Sequence, residues 1–299
     1  MATLEPGNIP PEVFQLFDKY VHGAISRRDF IDRAGALAVA GMSGAALLEA
    51  LNPKFAEAQQ VAPTDKRIKA DYVEIPAPGY GKLRGYLLQP AKSKAKKLPT
   101  VLVVHENRGL NPHIEDIARR VALENFVAFA PDALFPIGGY PGDEDKAREL
   151  FQQLDQSKTR EDFIAATNYL QQFPQGNGKV GVVGFCYGGG MANFLAARVP
   201  ELAAAVPFYG TPPAPADVGN IKAPLLLQFA ETDERINAAW PASEAALKTA
   251  GVNYQAHIYP GTQHGFNNDT TPRYNKEAAA LAWQRTIEFF NTHLRAGRT

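Results

Sequence analysis

From Asp71 to the C-terminus, short runs rich in Val, Ile, Leu and aromatic residues alternate with longer stretches whose apolar positions recur at helical spacing. The runs predict strands over Tyr72–Ile75, Leu83–Gln89, Thr100–His105, Val127–Ala130, Val180–Phe185, Ala204–Phe208, Leu225–Phe229 and Tyr254–Tyr259. Each is a short apolar or alternating segment, and most have Pro, Asn or Asp directly at one end. The helical pattern covers Ile114–Leu123, Asp145–Gln153, Thr159–Phe173, Gly189–Arg198, Ala242–Ala250 and Asn275–Leu294. Strands that alternate with helices predict βα units, hence a mostly parallel central sheet flanked by helices, an α/β class. Only Pro76–Lys82 separates the first two strands, which are therefore expected as an antiparallel hairpin ahead of the parallel part.

Residues 1–60 have a different texture. No strand-like alternation occurs between Pro10 and Ala58, whereas Phe14, Phe17, Tyr20 and Val21 fall at helical spacing and Leu47, Leu48 and Leu51 can pack against a partner. A folded helical extension of a main domain over 61–299, in a cytoplasmic protein, is one expectation. The same segment contains Ser26-Arg27-Arg28-Asp29-Phe30-Ile31 followed by the charge-free run Ala34–Leu48. In this it resembles a twin-arginine export signal, with Ala56-Glu57-Ala58 as the small-x-small cleavage site, and that resemblance implies a periplasmic or exported protein.

Composition narrows the function classes. The 299 residues carry 31 basic and 31 acidic side chains, so the excess of clustered cations that phosphate neutralisation requires is missing and nucleic acid is not an expected partner. The basic run Lys92–Lys97 reads as a solvated loop between strands. No strongly apolar stretch approaches the roughly 18 residues of a spanning helix, so stable membrane insertion is not expected. One cysteine, Cys186, leaves no intramolecular disulfide and no Cys-rich metal site, only an isolated thiol.

That thiol follows a strand. Gly184-Phe185-Cys186-Tyr187-Gly188 is a G-x-nucleophile-x-G pattern with Cys in place of the usual Ser. The glycines allow a strained turn that lifts the sulfur at the C-terminal edge of the sheet, and the N-terminus of the next helix lowers its pKa. The plainer reading is a small buried hydrophobe, the commonest fate of a free Cys. A nucleophile needs a base, and the base an orienting carboxylate. Asp233 lies just past the strand Leu225–Phe229, and His264 just past Tyr254–Tyr259, so both belong at the same sheet edge as the elbow. Glu231 is the rival for Asp233. Of the other histidines, His22 lies in the extension, His257 in a strand, His293 on the last helix and His113 after Asn-Pro. His105, at a strand end, is expected to line the pocket and not to act as base.

The strand ending at His105 runs into Glu106-Asn107-Arg108-Gly109. Backbone N–H groups of Asn107 and Tyr187 are the expected donors to an oxyanion. Glu106 is unusual there, since a carboxylate beside a thiolate must pair with something. With Glu106, the Gly184–Gly188 elbow, Asp233 and His264-Gly265-Phe266, the chain from Asp71 onward resembles the dienelactone hydrolases, carboxymethylenebutenolidases of the α/β-hydrolase fold. Pro131-Asp132 and the lead-in Gly178-Lys179-Val180-Gly181-Val182 extend the likeness, as does an N-terminal extension with paired arginines.

The resemblance implies a Cys186–His264–Asp233 triad cleaving a small lactone or carboxylic ester through an acyl-enzyme. It also implies that Glu106 holds the resting thiol, and that neither metal nor organic cofactor is needed. Family enzymes bind a substrate carboxylate with arginines, one of them four residues after the His; here that position is Asn268, and Arg273, Arg108 or Arg148 stands in as substrate-binding candidate. Leu134–Gly142, rich in Gly and Pro, has the composition of a lid. A non-catalytic or redox-sensing protein using Cys186 on the same scaffold is the alternative from another class.

Overall fold

The strand Leu98–Val104 is buried at every position, which a strand tolerates only when helices cover both faces of its sheet. Residues 9–37 and 39–295 are described in a computed structural model of the chain, so residues 1–8 and Ala38 of the expected extension lie outside the described residues. The extension contributes α1 (Pro11–Val21), α2 (Arg27–Ala36), α3 (Gly44–Leu51) and α4 (Phe55–Ala58). The domain that follows runs β1 (Ile68–Ala77), β2 (Gly81–Pro90), β3 (Leu98–Val104), α5 (Pro112–Leu123), β4 (Val127–Pro131), α6 (Glu144–Gln152) and α7 (Gln156–Gln171). It continues with β5 (Gly176–Phe185), α8 (Tyr187–Arg198), β6 (Ala204–Phe208), β7 (Leu225–Thr232), α9 (Glu234–Asn237), α10 (Trp240–Ala250), β8 (Tyr254–Gln263) and α11 (Lys276–Leu294).

The sheet has the order β1-β2-β4-β3-β5-β6-β7-β8. β1 pairs antiparallel with β2, and β2 with β4; every pairing from β4 to β8 is parallel. Side-chain alternation along each strand divides the core. Leu102, Val104, Val180, Val182, Leu225 and Leu227 face α7, α8 and α10. Val101, Val103, Val183, Phe185, Val206 and Leu226 face α5 and α11. Because the strands from β3 to β8 run the same way, the loops after β3, β5, β7 and β8 open on one edge, where ligands bind in open α/β sheets.

The extension has a core of its own. Val13, Phe14, Phe17, Tyr20 and Val21 of α1 pack with Phe30, Leu47, Leu48 and Leu51, and Phe17 meets Phe30 edge-on at 6.0 Å. The first Arg of the paired motif begins α2, capped by Ser26 and Asp29 in a reciprocal capping box. No helix among the described residues is long and apolar enough to cross a membrane.

Candidate active site

The turn after β5 is built by steric exclusion. Cys186 sits at φ 55°, in the left-handed region that costs a non-glycine residue energy, and the structure around it leaves no alternative. A Cβ on Gly184 would lie 1.9 Å from the carbonyl oxygen of Gly188, and one on Gly188 would lie 2.3 Å from that of Val104. Only glycine lets the chain fold back this tightly, and the cysteine is left at the cap of α8, where Gly189 N and Gly190 N donate to its carbonyl and the N–H of Tyr187 precedes the first intrahelical bond.

Asp233 and His264 come together as the order of strands requires. His264 Nδ1 lies 2.6 Å from Asp233 Oδ2, and both side chains are buried. Glu231 turns away and accepts from Gly261 N at 2.8 Å, so the carboxylate that orients the imidazole is that of Asp233. His264 Nε2 has no hydrogen-bond partner among the described residues and is buried. The Tyr209 ring, at φ 36° and fully buried, lies 5.0 Å from the His264 ring.

A second imidazole reaches the same sulfur, and it comes from the extension. His22, at the C-terminal cap of α1, places Nε2 at 3.2 Å from Cys186 Sγ. Its Nδ1 lies 2.8 Å from the Asp18 carbonyl oxygen and 3.2 Å from Asp18 Oδ1. Asp18 is flanked in turn by Arg235 at 3.6 Å and Arg273 at 3.9 Å. Two bonds from the α/β domain hold this turn of chain: Asn107 Nδ2 donates to Val21 O at 2.8 Å, and Arg148 Nη1 donates to Tyr20 O at 2.9 Å. His22, expected in the extension and away from the site, thus stands beside the sulfur. The legible signal was Asp18 and His22 at i, i+4, one helical face carrying a carboxylate–imidazole pair.

Several other expectations are corrected by position. Glu106 is not on the thiol: its Oε2 accepts from Asn268 Nδ2 at 3.1 Å, so the residue standing where an arginine was expected neutralises nothing and instead holds that carboxylate. Arg108 is paired with Glu144 at 3.0 Å, and Arg148 stacks on the Tyr20 ring at 4.2 Å while holding its carbonyl. Of the three arginines, Arg273 alone lines the cavity beside His264, together with Arg235. His105 does not line it. Fully buried, it accepts from Ala133 N at Nε2, which puts its proton on Nδ1, 2.5 Å from Glu106 O. Burial lowers its pKa, and this neutral imidazole braces the loop that carries Asn107. The cavity, of about 270 Å³, is walled by Phe14, Gln15, Asp18 and His22 of the extension, and no residue from 134–142 lines it.

Charge inside the site follows from this geometry. Burial by itself would push the Cys186 thiol up; the nearby His264 and His22 imidazoles more than reverse that and hold it down to about 5. Burial likewise disfavours the charged imidazole of His264, but Cys186 and Asp233 raise it above the ordinary histidine range. His22 is raised against burial by Cys186 and Asp18. The arrangement can therefore supply a thiolate, a proton donor beside it and a carboxylate to support that donor.

Known proteins share this framework. The profile of the Dienelactone hydrolase family matches residues 83–294, and a profile described as YqhI-like matches residues 1–39. A provisionally named carboxymethylenebutenolidase of Synechocystis sp. is 34% identical over 246 residues, spanning 76% of this chain and 98% of its own. One of the same provisional name from Escherichia coli strain K12 is 31% identical over 244 residues, spanning 77% and 89%. The crystal structure of a provisionally named dienelactone hydrolase from Klebsiella pneumoniae superposes with a TM-score of 0.68 at 28% identity, covering 75% of this chain and 98% of that one. The parallel sheet, its order and these matches agree: the chain belongs to the dienelactone hydrolase family of α/β-hydrolases and is a hydrolase of carboxylic esters or lactones.

Proposed function

We propose that the chain hydrolyses its ester or lactone by covalent catalysis at Cys186, with His264 as acid and base and Asp233 as its support. The observation that carries this reading is the 2.6 Å His264–Asp233 contact beside a sulfur held on a strained elbow. The thiolate attacks the carbonyl carbon, forming a C–S bond while the carbonyl π pair moves to oxygen. Backbone N–H groups of Asn107 and Tyr187 face the developing oxyanion. When the tetrahedral species collapses, the acyl C–O bond breaks and the leaving oxygen takes the proton of the His264 imidazolium. His264 then draws a proton from water, hydroxide adds to the thioester, and the C–S bond breaks to release the acid and restore the thiolate.

The cavity wall speaks for a neutral substrate. Asp18, Asp233 and Glu234 equal Lys19, Arg235 and Arg273 in number, and Asp18 sits against both arginines, which weakens the pull of the wall on a substrate carboxylate. A neutral lactone or aryl ester is expected to outperform its carboxylate-bearing analogue in kcat/KM; a clear preference for the anion would reverse this assignment.

The test of the mechanism is single-turnover mass spectrometry with an activated ester. An acyl adduct on Cys186 that decays with product formation is expected, with Cys186→Ala inert. Turnover by Cys186→Ala at the wild-type rate would remove the mechanism.

A further inference from the structure

Two imidazoles converge on one sulfur, and each is anchored through its other nitrogen. His264 Nδ1 is held by Asp233 at 2.6 Å and His22 Nδ1 by the Asp18 carbonyl at 2.8 Å, which leaves both Nε2 atoms to face Cys186. The three residues each offer an atom within 4.8 Å of the other two, and His264 Nε2 is buried without a partner among the described residues. We propose that His22, Cys186 and His264 form a binding site for a borderline-soft divalent cation of the Zn²⁺ type, and that its occupancy reversibly silences the thiol.

The donor set selects the metal. Thiolate with two neutral imidazoles suits Zn²⁺ and Co²⁺, whereas Ca²⁺ and Mg²⁺ require a cage of oxygens. Bonds of roughly 2.0–2.3 Å to nitrogen and sulfur put tetrahedral ligand atoms about 3.3–3.6 Å apart. The 3.2 Å His22 Nε2–Sγ separation already approaches that span. Orientation is prepared as well: an acceptor on the far nitrogen fixes the ring and raises its basicity, the usual support of a metal-bound histidine. Asp18 and Asp233 back the two imidazoles, and Asp18 offsets Arg235 and Arg273.

Arg235 Nη2 lies 3.1 Å from His22 Nε2 and must swing away. With 42% of its side chain exposed it is free to do so. The cavity is lined by His22 and His264 and supplies an entry path on the imidazole side of the cluster. On binding, any proton on the thiol or on either Nε2 leaves to solvent, and the sulfur lone pair that would attack a carbonyl is donated to the cation. No oxidation state changes.

The site requires only the geometry of the resting protein and stands whether or not Cys186 turns over. Chelator-stripped full-length protein titrated with Co²⁺ is expected to bind one equivalent with a thiolate-to-cobalt charge-transfer band that Zn²⁺ abolishes. Zn²⁺ is expected to protect Cys186 from iodoacetamide. His22→Ala and His22→Gln should each weaken binding by more than the roughly 10–100-fold that loss of an outer-shell partner costs, and Asp18→Asn by that smaller factor. Circular dichroism of the Gln variant separates ligand loss from misfolding. A wild-type protein without the band, or two folded His22 variants with wild-type affinity, would overturn the proposal. Hydrolysis by the stripped protein is read separately, so failure of the mechanism and failure of the cation site are distinguishable.

Discussion

Cys186 is a buried thiol whose charge depends on which imidazoles stand beside it. Burial opposes the thiolate and the two histidines favour it, with the balance at about 5. A thiol held down in this way is ionised above that value and protonated below it. Alkylation by iodoacetamide, in chelating buffer, is therefore expected to rise through about pH 5 instead of near the ordinary thiol value of about 8.5. Replacing His22 by Ala removes one of the two favourable charges and should move that midpoint upward, short of the ordinary value because His264 remains. A rate profile unmoved by the substitution would show that His22 does not act on the sulfur. At this scale Cys186, Asp233 and His264 were legible because each follows a strand, and strand ends in a parallel sheet are brought to one edge whatever the intervening sequence does. The roles of Glu106, Arg108, Arg148 and His105 were not legible. Each depends on a partner far along the chain: Asn268, Glu144, Tyr20 and Ala133 respectively.

Among the elements, α1 to α3 form a small unit whose packing rests on close approach. A Cβ on Gly44 would lie 1.9 Å from the carbonyl oxygen of Ile31, so α2 and α3 touch through backbone there. Gly44→Ala is expected to force the pair apart at a cost of about 1–3 kcal/mol, the usual penalty of overpacking. Hydrogen exchange in α1–α3 should accelerate while the sheet keeps its protection; unchanged exchange would mean that the helices adjust freely. Strand and helix positions in the hydrolytic domain were read nearly as they occur, because period-two and helical patterns report directly on which faces are buried. Ends were less well read. β1 runs over Ile68–Ala77 where only Tyr72–Ile75 was expected, since Lys69, Ala70, Asp71 and Pro76 are exposed and sit in the ladder with β2, which leaves no hydrophobic trace. α8 begins at Tyr187, two residues before the expected Gly189, because the elbow itself is the helix cap.

Over the whole molecule, the extension and the hydrolytic domain share one site. Processing after Ala58 would remove His22, Asp18, Phe14 and Gln15, and with them one wall of the cavity. Export with cleavage there and a mature enzyme that uses His22 exclude each other. If His22 serves the mature enzyme, the intact mass of protein purified from its native host includes residue 22. A mature form beginning after Ala58 with full hydrolytic activity would remove the extension from the chemistry. The sequence by itself determined the α/β architecture, the elbow and the placing of Cys186, Asp233 and His264 at one sheet edge, because these follow from local periodicity, glycine sterics and chain direction. Tertiary structure alone decided that a helix separated from Cys186 by more than half the chain closes over it. That contact rests on Asn107 and Arg148 reaching two backbone carbonyls, and carbonyls carry no side-chain identity for a sequence to display.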